Sequence, residues 1–427
     1  MFIHERDNWT AFRWDSERIA PLVSKADRAI AFLAGRLSTV GFDTQMAATV
    51  ESVTRDVVFS SEIEGISLNT EEVRSSVARH LGVKVLDTKE PTHYIEGIVE
   101  MMLDATQNHD MPLTERRLMG WHSALFPTGH SGSEEIHVGA YRTEGMQVIS
   151  GVFGRERVHY RAPDPDLVQG EMDKFLAWLS DDSSPASLVK SAIAHFWFVC
   201  IHPFDDGNGR IARAISDMVL AQADGGKFRY YSQSMQICKD KKAYYRILER
   251  TSRGDGDITD WLAWYLECLC RAVEASGEAL SVVLRKSVFW QTFADVTVSG
   301  RQSMVLNKYL DGYDAKLTAK NWASVAGVST DTALRDIRDL VDKGILTPIM
   351  GRVRDISYNI NYVKVSGFAS RFADAKVAEM GGKNYLTASF EGTPLQERLS
   401  EIDCRRYDAG EVTLEDLLYK YFSYLLD

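Results

Sequence analysis

The segment 201–215, IHPFDDGNGRIARAI, concentrates the residues of this chain that could perform chemistry. A histidine, two adjacent aspartates, a Gly-Asn-Gly turn and two arginines three residues apart follow directly on the apolar run FWFVCI. Pro203 cannot continue a helix, so the polar residues are predicted to form a loop between two helices. The glycines would then stand at the start of the second helix.

A helix that begins at a Gly-Asn-Gly turn can bind phosphate, because its first N–H groups are unpaired and its dipole is positive there. Gly207 and Gly209 allow close approach of the backbone, and Asn208 adds an amide donor. Arg210 and Arg213 lie one helical turn apart and can share a face. Forked guanidinium groups on that face could hold an oligophosphate chain.

Two further side chains of the segment favour group transfer over simple binding. A carboxylate beside a phosphate repels it unless a divalent cation lies between them, so Asp206 implies Mg²⁺. The imidazole of His202 titrates near neutrality and suits removal of a proton from an attacking hydroxyl. Together these residues predict transfer of a phosphorus-containing group.

A dinucleotide-binding fingerprint is the competing interpretation of the same glycines. Residues 207–212 fit the pattern GxGxxG/A, and Asp224 lies at a plausible distance downstream. However, two aspartates and a proline separate the apolar run from the glycines, that run has helical spacing, and no βαβ series follows. The phosphate-transfer interpretation is therefore favoured.

The stretch HPFDDGNGRIAR, residues 202–213, resembles the signature HPFx[DE]GNGRxxR of the Fic-domain family at every specified position. The resemblance extends over roughly residues 113–270. It implies an enzyme that transfers AMP from ATP to a Ser, Thr or Tyr hydroxyl of a target protein, or of itself, and releases pyrophosphate. His202 would be the base and Asp206 the ligand of Mg²⁺. Since Gly209 stands where the kinase-like branch has lysine, nucleotidyl transfer is favoured over phosphoryl transfer.

The resemblance also assigns a nucleotide site, a target-docking element and a brake. The implied nucleotide and phosphate-binding residues are Gly207, Asn208, Gly209, Arg210, Arg213 and Tyr245. A flap hairpin, residues 148–158, would pair with an extended target segment through Val148, Ile149 and Ser150.

The brake is the motif SSEIEG, which matches the family's inhibitory pattern [ST]xxxE[GN] through Ser60, Glu64 and Gly65. A pair between Glu64 and Arg213 would occupy the guanidinium that the γ-phosphate needs. We therefore expect a weakly active chain that Glu64→Gly releases.

Composition limits the partners. The chain has 427 residues, 45% of them hydrophobic, and a formal net charge of −11, which disfavours a general nucleic-acid or anionic-membrane binder. The N-terminus lacks the features of a signal peptide, and the most apolar helical stretch is too short for a membrane span. Five scattered cysteines without a CxxC pair indicate reduced thiols. These observations predict a cytosolic protein without a membrane partner.

The predicted fold class is mainly α, with a helical Fic core that carries the flap hairpin and is followed by a winged helix-turn-helix domain. Four domains are predicted. Residues 1–110 form an N-terminal helical region with the inhibitory motif, and residues 111–280 form the catalytic core. Residues 281–362 form the winged helix, and residues 363–427 form a small extension. In the winged helix, Gly327 marks the turn and Ser329 caps the next helix.

The predicted recognition helix carries Arg335 and Arg338 but at least as many aspartates, so the counterion release that drives DNA association is weak. Protein docking or a homodimer is favoured for this domain over DNA. The alternative function is a transcriptional regulator that binds DNA and whose Fic core senses nucleotide.

Overall fold

The structure is a computed structural model of the chain. It describes residues 1–38, 42–83, 90–150, 157–181, 187–225, 229–294, 296–310, 312–349, 356–361, 372–390, 393–409, 412 and 414–422. These residues form two compact units, Met1–Gly277 and Glu278–Asp427. The finer division into the four domains predicted above stays a prediction.

The first unit is mainly helical, as the apolar spacing of its sequence predicts. After a short 3-10 helix, Ile3–Glu5, the helices are α1 (Ser16–Ser38), α2 (Phe42–Ile63), α3 (Thr70–His80), α4 (His93–Gln107), α5 (Glu115–Leu125), α6 (Pro165–Leu179), α7 (Leu188–Ile201), α8 (Asn208–Asp224), α9 (Gln233–Lys239) and α10 (Lys241–Ser252). The last helix, α11 (Thr259–Thr292), begins in the first unit and ends in the second.

Capping side chains set where several of these helices begin. Thr114 is the N-cap of α5, since its side chain accepts from the backbone N–H of Arg117. Ser187 caps α7 in the same way. All but two of the residues of α7 are buried, and α7 packs against α8, so these two helices form the centre of the unit.

Two short antiparallel ribbons interrupt the helices of the first unit. One joins β1 (His130–Ser131) to β2 (Glu134–Glu135), and the other joins β3 (Gln147–Ser150) to β4 (Arg157–Arg161). In the second ribbon Val148 pairs with Tyr160, and the register shifts by one residue before Ile149. This ribbon is the predicted flap hairpin, whose residues 151–156 lie outside the described residues.

The second unit combines a helix-turn-helix with two antiparallel sheets. Its elements are α12 (Gly300–Leu310), β5 (Leu317–Thr318), α13 (Ala319–Ala326), α14 (Thr330–Asp342), β6 (Leu346–Ile349), β7 (Ser357–Ile360), β8 (Phe372–Met380), β9 (Lys383–Phe390), β10 (Thr393–Arg398), α15 (Glu401–Asp408) and α16 (Leu414–Phe422).

The strands of the second unit form one sheet in the order β5–β7–β6 and another in the order β10–β9–β8. Gly327 ends α13 in the left-handed conformation and Ser329 caps α14, as the sequence predicts. Trp322 is fully buried and donates to Asp336, which in turn accepts both bonds of the Arg301 guanidinium. The predicted wing, 351–360, is described only from residue 356 onward.

All five cysteines are free thiols. Among the residues that the structure describes, no helix combines the length and the apolar character needed to cross a membrane.

Candidate active site

The loop that joins α7 to α8, residues 202–209 with the first residues of α8, is called the His202 loop below. His202 follows the last residue of α7 and adopts a left-handed conformation with φ of 51°, which is uncommon for a residue with a side chain. Gly207 precedes α8 with φ of 84°. A Cβ on Gly207 would also come within 2.9 Å of the Phe126 ring, so glycine is needed there for two reasons.

The imidazole of His202 is set up as a proton acceptor. Its Nδ1 lies 3.2 Å from the carbonyl oxygen of Val199, and because a carbonyl can only accept, Nδ1 carries the hydrogen. Nε2 of the neutral ring is therefore unprotonated. Burial lowers the pKa of His202 and, together with the charge of Arg142, outweighs the opposing effects of Val199 and nearby carboxylates. His202 lines a cavity of 810 Å³.

The side chain of Asn208 braces the His202 loop from within. Its Oδ1 accepts from the backbone N–H of Phe204 at 3.0 Å, and its Nδ2 donates to the Phe204 carbonyl at 2.7 Å. These two bonds hold the amide within the loop, and the prediction that the Asn208 amide also donates to phosphate stays a prediction. The buried position of Asn208, 3% exposed, agrees with a bracing role.

Arg142 is a residue that the sequence interpretation missed. It is 2% exposed, and its guanidinium donates to three carbonyl oxygens, of His202 at 2.8 Å, Glu144 at 2.8 Å and Pro163 at 2.5 Å. Its backbone N–H also donates to the Pro203 carbonyl. Since Glu144 precedes the flap hairpin and Pro163 follows it, Arg142 joins the His202 loop to both ends of the flap.

His122 braces the loop from the other side, a role that its position in α5 did not reveal. It is fully buried, and its Nε2 lies 3.2 Å from the Asp206 carbonyl oxygen. Its ring stacks on Phe204 at a centroid distance of 4.1 Å. Burial lowers the pKa of His122 to about 4, so the ring stays neutral in this position. Phe204 is itself fully buried and anchors the loop.

The carboxylate of Asp206 is the candidate metal ligand. It accepts from Ser131 Oγ at 2.5 Å, from the Gly207 N–H at 2.6 Å and from Arg210 Nη2 at 3.2 Å. Burial raises the pKa of Asp206, but the Arg210 charge and the hydrogen bonds outweigh this effect and leave the pKa below its ordinary value. The side chain is ionised and still 42% exposed, so it fits a divalent cation.

Arg210 departs from the predicted arrangement, in which both arginines face the phosphates. Its guanidinium pairs with Asp206, receives support from the Tyr94 hydroxyl at 2.8 Å and lies 5.0 Å from the centre of the Phe126 ring. The side chain is only 1% exposed. Arg210 thus holds the carboxylate of Asp206 in place, and its predicted contact with the outer phosphates stays a prediction.

Arg213 is held by the end of α2. Its Nε donates to Ser60 Oγ at 2.9 Å, and its Nη2 donates to the Ser60 carbonyl and to Glu64 Oε1, both at 2.8 Å. Arg213 is 2% exposed, whereas the Glu64 side chain is 29% exposed and lines the cavity. The structure therefore brings the predicted inhibitory residues Ser60 and Glu64 to the predicted phosphate-binding arginine.

The segment 60–65, called the α2 end below, completes this contact. Gly65 has φ of 82°, and the N–H of Ile66 returns to the carbonyl of Ser61, which closes the helix. A Cβ on Gly209 would collide with the Glu64 carboxylate, so Gly209 provides the space in which that carboxylate lies. Tyr245 donates to the Ile63 carbonyl at 3.3 Å.

A buried ion pair network fixes α2 against α8. Arg229 donates to Asp56 of α2 at 2.9 Å and to Asp217 of α8 at 2.6 Å, and each of the three side chains is at most 5% exposed. Burial and the charge of Asp217 raise the pKa of Asp56 to about 7. The helix is thus anchored one turn before the α2 end begins.

The cavity connects the loop, the α2 end and the flap. Among the described residues of the predicted site, those that line it are His202, Glu64, Gly209, Tyr245, Val148, Ile149 and Ser150. Val148 and Ile149 are 37% and 54% exposed, as an edge that docks a target segment requires. Tyr244 also lines the cavity, but it is only 2% exposed and its hydroxyl lies 2.9 Å from Nε2 of His195.

Comparison with known proteins places part of this architecture in families. Residues 112–220 match the Fic/DOC family, and residues 2–83 match a family described as a domain of unknown function, DUF4172. The solved structure of a Fic family protein from Desulfovibrio desulfuricans G20 is 21% identical, with a TM-score of 0.45, and covers 82% of this chain and 97% of that chain.

Among curated proteins, the chain is 23% identical over 272 residues to the protein adenylyltransferase Fic of Nematostella vectensis. This match covers 61% of this chain and 56% of that protein. The chain is 32% identical over 117 residues to the uridine 5'-monophosphate transferase of Xanthomonas campestris pv. campestris. This match covers 26% of this chain and 21% of that protein. The chain spans about half or less of the length of these curated relatives.

Proposed function

Starting from the Fic/DOC domain that residues 112–220 contain, we propose that this chain transfers AMP from ATP to a hydroxyl group of a target protein. One observation carries the proposal. An imidazole with an unprotonated Nε2 stands at the cavity, directly before a glycine-rich helix start. The names of the relatives, which include protein adenylyltransferases, favour AMP as the group transferred.

His202 is the base of the proposed reaction. Its Nε2 takes the proton of the attacking hydroxyl, whose oxygen forms a bond to the α-phosphorus while pyrophosphate leaves. Nδ1 stays bonded to the Val199 carbonyl and holds the ring in one tautomer. The start of α8 and Gly209 would hold phosphate oxygens through backbone N–H groups.

Asp206 would hold a Mg²⁺ ion together with the phosphates of the nucleotide. Bound there, the ion would neutralise the phosphate charge that an ionised carboxylate otherwise repels. Ser131 and Arg210 orient the carboxylate through the two hydrogen bonds described above.

The α2 end is the proposed brake. With Glu64 on Arg213, a γ-phosphate finds the guanidinium occupied and a carboxylate in its path. A nucleotide displaced in this way presents its α-phosphorus poorly to an attacking hydroxyl, and a displacement of about 1 Å can cost about a hundredfold in rate. The chain is therefore restrained until the α2 end moves.

The position of the label in ATP tests the transfer. The Glu64→Gly chain is incubated with cell lysate and Mg²⁺, with ATP labelled at either the α- or the γ-phosphorus. Protein-bound label from the α position alone supports AMP transfer. Label from the γ position would show phosphoryl transfer and contradict the proposal. Parallel reactions with GTP, CTP and UTP test the nucleotide, since one relative is named a uridine 5'-monophosphate transferase.

For the second unit we propose a protein contact, with a target or a second copy of the chain, in preference to DNA. On α14 the exposed Arg335 and Arg338 are accompanied by Asp331 and Asp342, which leaves no excess of positive charge on these four residues. A salt-dependent gel shift on native promoter DNA would favour the regulator alternative instead.

A further inference from the structure

A chain of hydrogen bonds links a serine, a histidine and a glutamate on the wall of the cavity. Ser150, the last residue of β3, places its Oγ 2.5 Å from Nε2 of His159 on β4. Nδ1 of His159 lies 2.8 Å from Oε2 of Glu249 on α10. Three separate elements thus bring together a nucleophile, a base and a group that orients the base, the arrangement that activates serine in many enzymes.

The directions of these hydrogen bonds follow from the chemistry of the groups. Glu249 is ionised, because hydrogen bonds from His159 and Arg157 outweigh burial, which raises its pKa, and leave the pKa below its ordinary value. An ionised carboxylate only accepts, so His159 Nδ1 carries the hydrogen and Nε2 is the ring nitrogen that faces Ser150. In the tautomer whose single ring hydrogen is on Nδ1, Nε2 accepts a hydrogen bond from the hydroxyl of Ser150. Arg157 holds the other oxygen of Glu249 at 2.7 Å.

The location of Ser150 connects this triad to the nucleotide. Ser150, His159 and Glu249 all line the 810 Å³ cavity that also contains His202 and Glu64. Ser150 is exposed at the end of β3, and its hydroxyl can therefore be approached. Ser252 lines the same cavity, but its hydroxyl donates to the Glu249 carbonyl at 3.1 Å, and among the described residues it has no imidazole partner.

We propose that Ser150 is an acceptor of AMP within the chain itself, with His159 as its base and Glu249 as the positioning residue. The inference rests on the proposed function, because ATP supplies the group. The Ser150 oxygen forms a bond to the α-phosphorus, the bond from that phosphorus to the bridging oxygen breaks, and pyrophosphate leaves with the electron pair. The Ser150 proton passes to His159 Nε2 and then to solvent.

The modification has a consequence for target docking. Ser150 belongs to the exposed strand β3, whose Val148 and Ile149 are proposed to pair with a target segment. An AMP group on Ser150 would add a negative phosphodiester and a nucleoside at that edge. Self-modification would therefore lower the transfer of AMP to other proteins.

Mass spectrometry of the full-length Glu64→Gly chain, incubated with ATP and Mg²⁺ and then digested, tests the proposal. The expected result is one AMP on the peptide that contains Ser150. Ser150→Ala should remove this modification and Ser150→Thr should restore it at the same position, whereas the matched change Ser252→Ala should leave it on Ser150. His159→Gln keeps a polar side chain but cannot take the proton, and should lower labelling at position 150, relative to labelling of lysate proteins, about a hundredfold.

Each other outcome overturns the inference. Lysate proteins that receive AMP while Ser150 stays unmodified would contradict the self-acceptor role and leave the proposed function standing. If His159→Gln leaves the labelling at position 150 unchanged relative to the labelling of lysate proteins, then His159 is not the base for Ser150, even if Ser150 is modified. A released chain that labels neither itself nor any lysate protein would contradict the proposed function and the inference together.

Discussion

The His202 loop and the α2 end meet at the same cavity but are held in different ways. The loop is braced through internal bonds of Asn208, through the guanidinium of Arg142 and through His122. The α2 end reaches the site through Ser60 and Glu64 on Arg213 and through one longer bond from Tyr245. The first region is enclosed by buried partners, whereas the carboxylate of the second is partly exposed.

The difference indicates which region is the fixed part and which is the movable part. Moving the loop would leave several buried donors and acceptors without partners, which costs about 1–3 kcal/mol for each group. Moving only Glu64 of the α2 end exchanges a partly exposed carboxylate for the phosphate of a nucleotide, while the buried bonds from Arg213 to Ser60 can remain. We therefore expect the His202 loop to be a prebuilt reaction site and Glu64 of the α2 end to be a releasable brake.

The largest effect is expected at the base. His202→Ala in the Glu64→Gly chain should lower AMP transfer to lysate proteins about a thousandfold, because the hydroxyl loses its proton acceptor. ATP affinity, measured by calorimetry, should change little since the hydrogen bond that holds the His202 ring is made to Val199 of α7 and to no nucleotide-binding residue. A variant with the transfer rate of its parent would remove His202 from the reaction.

A smaller loss is expected at the candidate metal ligand. Asp206→Asn in the same background keeps hydrogen-bonding capacity toward Ser131 but removes the charge that attracts Mg²⁺. Transfer at low Mg²⁺ should fall about a hundredfold and recover in part as the Mg²⁺ concentration is raised. A titration that matches the parent at every concentration would place the ion elsewhere.

A still smaller loss of activity is expected at Arg142, which joins the His202 loop to the flap hairpin. Lysine cannot reproduce the planar fork by which Arg142 reaches three carbonyl oxygens, so Arg142→Lys should displace His202 and lower the transfer rate about tenfold. Arg161→Lys, on the exposed end of β4, is the matched control and should have the parental rate. Equal rates in both variants would show that the loop does not need Arg142.

The pH profile should show the smallest effect. Because the pKa of His202 is lowered, mainly by burial, the ring is neutral and able to accept a proton at pH 7. As pH falls, the transfer rate of the Glu64→Gly chain should decline only below the ordinary histidine pKa of about 6.5. A decline already centred above that value would indicate a different base.

Much of this site could be predicted because its residues are contiguous. The types and spacing of residues 202–213 indicate a loop, a helix start and a base without knowledge of the fold. The pair Asp206–Arg210 was also predictable, since a spacing of four residues across the start of a helix can bring two side chains together. The sequence nevertheless led us to predict only a phosphate-binding role for Arg210.

The residues that hold the His202 loop in place could not be predicted in the same way. Arg142, His122 and Tyr94 are single residues in otherwise ordinary segments, and their roles depend on carbonyls and side chains far along the chain. The use of the Asn208 amide inside the loop likewise depends on the loop conformation. Such contacts carry no periodicity and become visible only when the chain is folded.

The most direct test of a prebuilt site under a releasable brake compares two glutamates at the end of α2. Glu64→Gly removes the carboxylate from Arg213, whereas Glu62→Gly makes the same change at an exposed position two residues earlier. With α-labelled ATP and lysate, the account predicts that Glu64→Gly raises AMP transfer about a hundredfold and that Glu62→Gly stays at the wild-type rate. Equal rates for all three chains, or release by both changes, would contradict it.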